Sequence, residues 1–322
     1  MKRFSCPVCA HRVHFRNTMC LNCGTALAYL PQAGAMAPLE GQAPCANRGL
    51  IACNWAAGAG RFCDSCAMTE VIPDLDVPGN LRRWTQLELA KRRLCYSLIA
   101  LGLPFVSARG TRLRFRFLAD GNGQTVMTGH DNGIITLNIA EADDDEREAR
   151  RVAMGEPYRT LLGHLRHEVG HYYWQILVAE AGRMGEFADL FGDASQDYQL
   201  ALARHYAQGP PAGWENSFVS SYATSHPWED WAETWAHMLH IIDGLDTARH
   251  NGLALPCAEI DAHAVTDPAI LMRAWIPLST AMNEMTRSIG QADFYPFAIA
   301  PPVARKIGFM LRIIHAAPAG GG

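Results

Sequence analysis

His167-Glu168-Val169-Gly170-His171 is the stretch that most restricts what this chain can become. Positions i and i+4 of a helix lie one above the other, so a helix here turns two imidazoles to one side. Two neutral nitrogen ligands, with a carboxylate next to the first, are the minimal protein kit for a zinc ion that activates water. Such a site needs a packed helix and at least one further ligand from elsewhere in the chain. The flanks agree: Leu161, Leu162, Leu165, Val169, Tyr173, Ile176 and Leu177 recur at helical spacing. The helix is expected to open near Pro157 and run to about Gly182. A chance histidine pair is the alternative, weakened by the uncharged Val169 and Gly170 between the two rings.

Cysteine supplies the second constraint. Eight of the ten cysteines fall in the first 66 residues. Cys6-x2-Cys9 and Cys20-x2-Cys23 each offer two thiolates from a tight turn, and together they close a tetrahedral four-thiolate zinc site. A redox C-x-x-C would need one pair and a thioredoxin-like setting, which is absent. Cys45, Cys53, Cys63 and Cys66 suggest a second such site, since a segment this poor in core residues needs a staple. Met1-Lys2-Arg3 leads almost directly into the first cysteines, with no apolar leader. The expectation is a reducing, cytoplasmic setting with metal-bound thiolates rather than disulfides. No apolar stretch is long enough to cross a bilayer, so no membrane partner is expected. A net charge of −4 gives no global field for nucleic acid.

Asp74 to Asn80 form a break. A helix over 81–101 follows, then strands at Leu113–Phe117, Thr125–Met127 and Ile134–Ile139, joined through turns at Gly121-Asn122-Gly123 and Asp131-Asn132-Gly133. They predict a small antiparallel sheet. A helix from Phe187 to Ala207 would carry Asp193 and Asp197 one turn apart, where either could orient a ligand imidazole from behind. Pro227 opens another helix. On it Glu229, Glu233, His237 and His240 share one face, while Trp231, Trp235 and Met238 share another. Burying that polar face is costly unless it is paired or holds a metal. Glu229 is therefore the chosen third ligand, with Asp230, Glu233, Asp193 and His226 as competitors. Glu233, Asp193 and His237 are candidates for supporting the ligands. Tyr222, seven residues before Glu229, could donate to a developing oxyanion, with His237 and His240 as rivals. Helical patterns return at 268–288 and 302–315. Cys257 is isolated, with no ligand role expected, and a frayed tail is expected from Ala316 to Gly322.

Several of these runs carry a resemblance. Ile135-Thr136-Leu137-Asn138, Pro157 through His164, the H-E-x-x-H, and His226 through His237 resemble the bacterial family of zinc-binding metallopeptidases that carry an N-terminal zinc ribbon. The resemblance spans nearly the whole chain and implies a peptidase without naming a substrate. Glu229-x-x-Ala232-Glu233 is also similar to the third-ligand helix of anthrax-lethal-factor-like peptidases, where a catalytic tyrosine precedes the glutamate by the interval seen between Tyr222 and Glu229. That likeness implies Glu229 as ligand and Tyr222 as oxyanion donor. His164 departs from the usual surroundings, where a β-branched residue is common.

The expected fold is α+β: a zinc-ribbon region over 1–73 with two four-cysteine sites, then a mostly helical, zincin-like metallopeptidase domain over 81–316 with a small sheet. The expected cofactor is zinc, one ion catalytic and two structural. The expected chemistry is peptide hydrolysis, with Glu168 as general base and a peptide or protein as substrate. The alternative is a non-enzymatic adaptor whose ribbons bind a protein or nucleic acid and whose H-E-x-x-H site is structural or a relic.

Overall fold

The computed structural model describes residues 1–58, 60–121, 125–153, 155–253 and 260–316. Asn122 and Gly123 of the expected turn, Cys257 and the tail beyond Ala316 lie outside these residues. The chain gathers into two units, residues 2–165, and residues from 166 onward together with Met1.

The first unit begins with short antiparallel ribbons: β1 (Phe4–Ser5) with β2 (Arg12–Val13), β3 (Leu27–Leu30) with β4 (Ala35–Pro38), and β5 (Ala43–Pro44) with β6 (Ala56–Ala57). One-turn helices α1 (Arg48–Ile51) and α2 (Asp64–Ala67) flank β6. Strands this short cannot hold a hydrophobic core by themselves. A ring cluster supplies one: Phe15 lies 5.0 Å from Tyr29 and 5.5 Å from Tyr96, and Tyr29 lies 5.2 Å from Trp55. Tyr96 belongs to α3 (Asn80–Ala100), which agrees with the expected helix. The ribbons and α3 therefore share one core.

Behind α3 lies a four-stranded sheet in the order β7 (Thr69–Val71), β8 (Arg114–Leu118), β10 (Ile134–Asn138), β9 (Gly129–Asp131). β7 and β10 both pair with β8 in parallel, and only β9 is antiparallel to its neighbour. The sheet is mixed because the chain leaves β8, passes the Thr125–Met127 segment without forming a strand there, and returns through the β9–β10 hairpin. Alternation works as expected on β8: Phe115 and Phe117 are buried, while Arg114 and Arg116 turn outward to Glu70. Lys91 of α3 is fully buried under Phe115 and Phe117 and paired with Glu88 at 2.9 Å.

After α4 (Asp144–Ala153), α5 runs from Leu161 to Trp174 and continues as a π-helical turn over Gln175–Ala179. It starts four residues after Pro157 because Thr160 caps it, its hydroxyl accepting the Gly163 amide at 3.0 Å. The second unit takes over within α5. Instead of one helix over 187–207 there are two, α6 (Met184–Phe191) and α7 (Tyr198–Gln208). Gly192, at φ +99°, ends the first, and the Asp197 side chain caps the second by accepting the Leu200 amide at 2.8 Å. α8 (Pro227–Asn251), α9 (Pro268–Ser288) and α10 (Pro301–Ala316) complete the unit. Its core is aromatic: Trp231 stacks on Trp235 at 5.7 Å, and Tyr173 stacks on Trp235 at 5.0 Å. The α+β class, with a cysteine-rich region ahead of a helical domain, is the one expected from the sequence.

Candidate metal centre

Among the described residues, two of three candidate metal groups are four-cysteine clusters, Cys6-Cys9-Cys20-Cys23 and Cys45-Cys53-Cys63-Cys66. A tetrahedral zinc site with bonds near 2.3 Å sets its sulfurs about 3.8 Å apart. The observed separations are 3.7 Å for Cys6–Cys23, 3.7 Å for Cys9–Cys20, 3.7 Å for Cys53–Cys63 and 3.8 Å for Cys53–Cys66. A disulfide would bring two sulfurs to about 2 Å, so the spacing fits shared metal rather than cross-links. The clusters differ in environment. All four sulfurs of the second belong to buried residues, whereas Cys23 of the first is exposed and Cys9 half-buried. Arg92 of α3 is buried, and its Nη1 finds no hydrogen-bond acceptor among the described residues. Its charge acts on Cys53, which suits the net negative charge of a four-thiolate zinc.

The third group is His167, His171 and Glu229. α5 brings the two histidines to one side, and the first turn of α8 delivers the glutamate. Glu229 Oε2 lies 3.1 Å from His167 Nε2 and 3.6 Å from His171 Nε2. Ligands of a tetrahedral zinc at 2.0–2.1 Å stand about 3.3 Å apart, and the two observed distances bracket that value. Oε2 is buried, with no hydrogen bond from the described residues. An acceptor buried without a donor is costly, and a cation between the three atoms would satisfy it.

The close approach of α5 and α8 has a local cause. A Cβ on Gly170 would stand 3.1 Å from Ala232 Cα and 3.2 Å from Trp235 Cβ. Trp231 Nε1 donates to the Gly170 carbonyl at 2.8 Å, and Arg166 pairs with Asp243. Glycine at 170 and alanine at 232 therefore let the ligand-bearing turns meet.

His167 and Glu229 are held from behind by hydrogen bonds. His167 Nδ1 sits 2.7 Å from Glu233 Oε1, and Ser220 donates to Glu233 Oε2 at 2.6 Å. A proton on Nδ1 leaves the Nε2 lone pair for the metal. Tyr198 donates to Glu229 Oε1 at 2.7 Å. The Trp228 ring covers His171 at 3.8 Å between centroids. Neither Ser220 nor Tyr198 carried a sequence signal, since each comes from a loop or helix start with no fixed offset from its partner. Electrostatics repeat the demand for positive charge. Burial acts to lower the His167 pKa, yet the neighbouring carboxylates of Glu229 and Glu233 raise it well above the ordinary value. Burial acts to raise Glu229, and the charges of His171 and His167 hold it well below the carboxylate range.

The other candidates separate clearly. Glu168 is buried beside the ligands, and its charge bears on Tyr198. Tyr222, in the turn before α8, places its ring 6.0 Å from that of His167. Asp193 is exposed and accepts the Ser195 amide at 2.8 Å, so it does not join the cluster. Asp230 is taken up by Lys306 at 2.6 Å. His226 caps α8 by accepting the Trp228 amide at 3.1 Å. His237 is buried against Tyr295, with 2.7 Å between its Nδ1 and the phenol oxygen. Burial pushes its pKa down to about 4. His240 stands against Tyr295 and Trp275. His164, the departure noted above, bonds Glu141 at 3.0 Å.

Among the described residues, no helix is long and apolar enough to cross a membrane. Residues 3–77 match a zinc-ribbon domain family. Residues 80–313 match the family described as "Putative zinc-binding metallo-peptidase". Uncharacterized proteins of Mycobacterium bovis and Mycobacterium tuberculosis are 44% identical over 326 residues, covering 98% of this chain and 95% of theirs. No solved structure matches. By the extent of that family match, the chain belongs to the zinc-binding metallo-peptidase family and carries an N-terminal zinc-ribbon domain.

Proposed function

We propose that this protein is a zinc-dependent peptidase in which His167, His171 and Glu229 hold the catalytic ion, while the two cysteine clusters hold structural zinc. One observation carries the reading. The third group holds three ligands, and among the described residues no fourth His, Cys, Asp or Glu joins it. Structural zinc sites are closed by four protein ligands, whereas catalytic ones keep a position open. That contrast favours an enzyme over an adaptor with a third structural zinc.

Zinc, when bound, makes water a nucleophile near neutral pH and draws charge off a carbonyl oxygen. The remaining work falls to the chain. Glu168, adjacent to His167, takes the proton from the attacking water and passes it to the leaving amine. Tyr222 donates to the oxyanion as the carbonyl becomes tetrahedral. Glu233 and Ser220 keep His167 in the tautomer that binds metal.

The test is Glu168→Gln in the full chain. It should retain three zincs and lose cleavage of a proteome-derived peptide mixture, read by mass spectrometry as new termini. Cleavage by the variant at the wild-type rate would sink the proposed role of Glu168. A wild type with two zincs and no new termini would sink the peptidase reading.

A further inference from the structure

The third ligand sits in an unusual position. Glu229 is 1% exposed, and its two oxygens face different neighbours. Oε2 faces the two histidine nitrogens, while Oε1 accepts the Tyr198 hydroxyl at 2.7 Å. An ionised carboxylate has two equivalent oxygens, and either or both can bind a cation. Something must break that equivalence if one oxygen alone is to serve the metal.

We propose that Tyr198 is the positioning residue that does so: its hydroxyl engages Oε1 and leaves Oε2 as the single ligand oxygen. This rests on the metal site proposed above. The phenol is well placed for the role because its own position is over-determined. Tyr198 is the first residue of α7, directly after the capping Asp197. Its ring stands edge-on to His226 at 5.3 Å and to Trp228 at 5.7 Å. His226 in turn accepts the Trp228 amide and meets the Gln196 carbonyl at 3.3 Å. The ring cannot turn away without disturbing the start of α8, which carries Glu229 itself.

His167 and Glu229 are held by separate devices, the first by Glu233 with Ser220 and the second by Tyr198.

The test uses the full chain with both cysteine clusters kept zinc-filled. Zinc affinity at the third site is measured by chelator competition, and coordination by the visible spectrum after cobalt replaces zinc at that site alone. Tyr198→Phe removes one hydroxyl and should weaken zinc about 10- to 100-fold. It should also lower the cobalt absorption, as the freed oxygen joins the metal and coordination rises above four. Asp193→Asn, at an exposed residue that stands outside the cluster, should leave both readouts near wild type. Wild-type affinity and an unchanged cobalt spectrum in Tyr198→Phe would overturn the inference. A wild type that binds only the two ribbon zincs would instead overturn the metal-site reading, and this inference with it.

Discussion

Glu233 Oε1 lies 2.7 Å from Nδ1 of His167, and its other oxygen accepts the Ser220 hydroxyl at 2.6 Å. The carboxylate is held at both ends, so it holds the imidazole in turn. Glu233→Ala should weaken zinc at the third site by about 10- to 100-fold, the usual cost of losing such a partner. The two cysteine sites should keep their metal. Chelator competition on the intact chain measures this, and an unchanged affinity would argue against the supporting role.

Proton linkage gives a second prediction for the same centre. With no metal, Glu229 and Glu233 raise the His167 pKa well above its ordinary value even though burial opposes them. Zinc must displace that proton before it can use Nε2. Binding should therefore release protons, and affinity should climb as pH rises through the neutral and mildly alkaline range. Calorimetry in buffers of different ionisation enthalpy would report the proton count; a count of zero contradicts the linkage.

The grouping of His167, His171 and Glu229 is legible in the sequence, and the reasons are local. His167 and His171 are fixed by helical period alone. Glu229 stood out because a helix bearing tryptophans on one face cannot also leave an acid-and-histidine face buried and unpaired. Tyr198 and Ser220 were not legible, since their roles depend on how α7 and the loop before α8 are placed, which no period encodes. The break at Gly192 was visible as a glycine but not as a boundary. It left Asp193 and Asp197 on a loop and a cap rather than on one helical face. The parallel pairing of β8 with β10 likewise depends on the path between them and not on their alternation.

Gly170 offers a test of the helix contact. Alanine there gains up to about 1 kcal/mol in helix propensity but places a methyl 3.1 Å from Ala232 Cα, and overpacking of this kind costs about 1–3 kcal/mol. Gly170→Ala should fall between neutral and about 2 kcal/mol destabilising. Gly170→Val loses the propensity gain and adds bulk, so it should be clearly worse and should reduce zinc at the third site as α5 and α8 separate. Thermal unfolding with zinc stoichiometry decides; a valine variant with wild-type values for both would refute the close-contact account.

The two cysteine clusters should not respond alike. Cys63 is fully buried in a cluster that shares its surroundings with α3, whereas Cys23 is exposed. Cys23→Ser should lose one zinc with a modest fall in thermal stability, and a chelator should strip that cluster first. Cys63→Ser should lose one zinc and a larger share of the stability, because it empties a site built into the core. Equal losses from the two variants would show that burial does not set their importance.

Glu141 gives a prediction about acid stability in the first unit. It is buried, and burial acts to raise its pKa, but His164, Arg159 and Arg150 draw it down to about 2 from an ordinary 4.5. A carboxylate depressed in the folded state stabilises the fold above its unfolded pKa. That contribution disappears as pH falls from about 4.5 towards 2, and its size is about 3 kcal/mol. Glu141→Gln should therefore be less stable than wild type at pH 7, and the gap should narrow on acidification through that window. Denaturant unfolding at a series of pH values checks the sign as well as the size. A gap that stays constant with pH would mean that Glu141 acts through shape and hydrogen bonding, not through its charge.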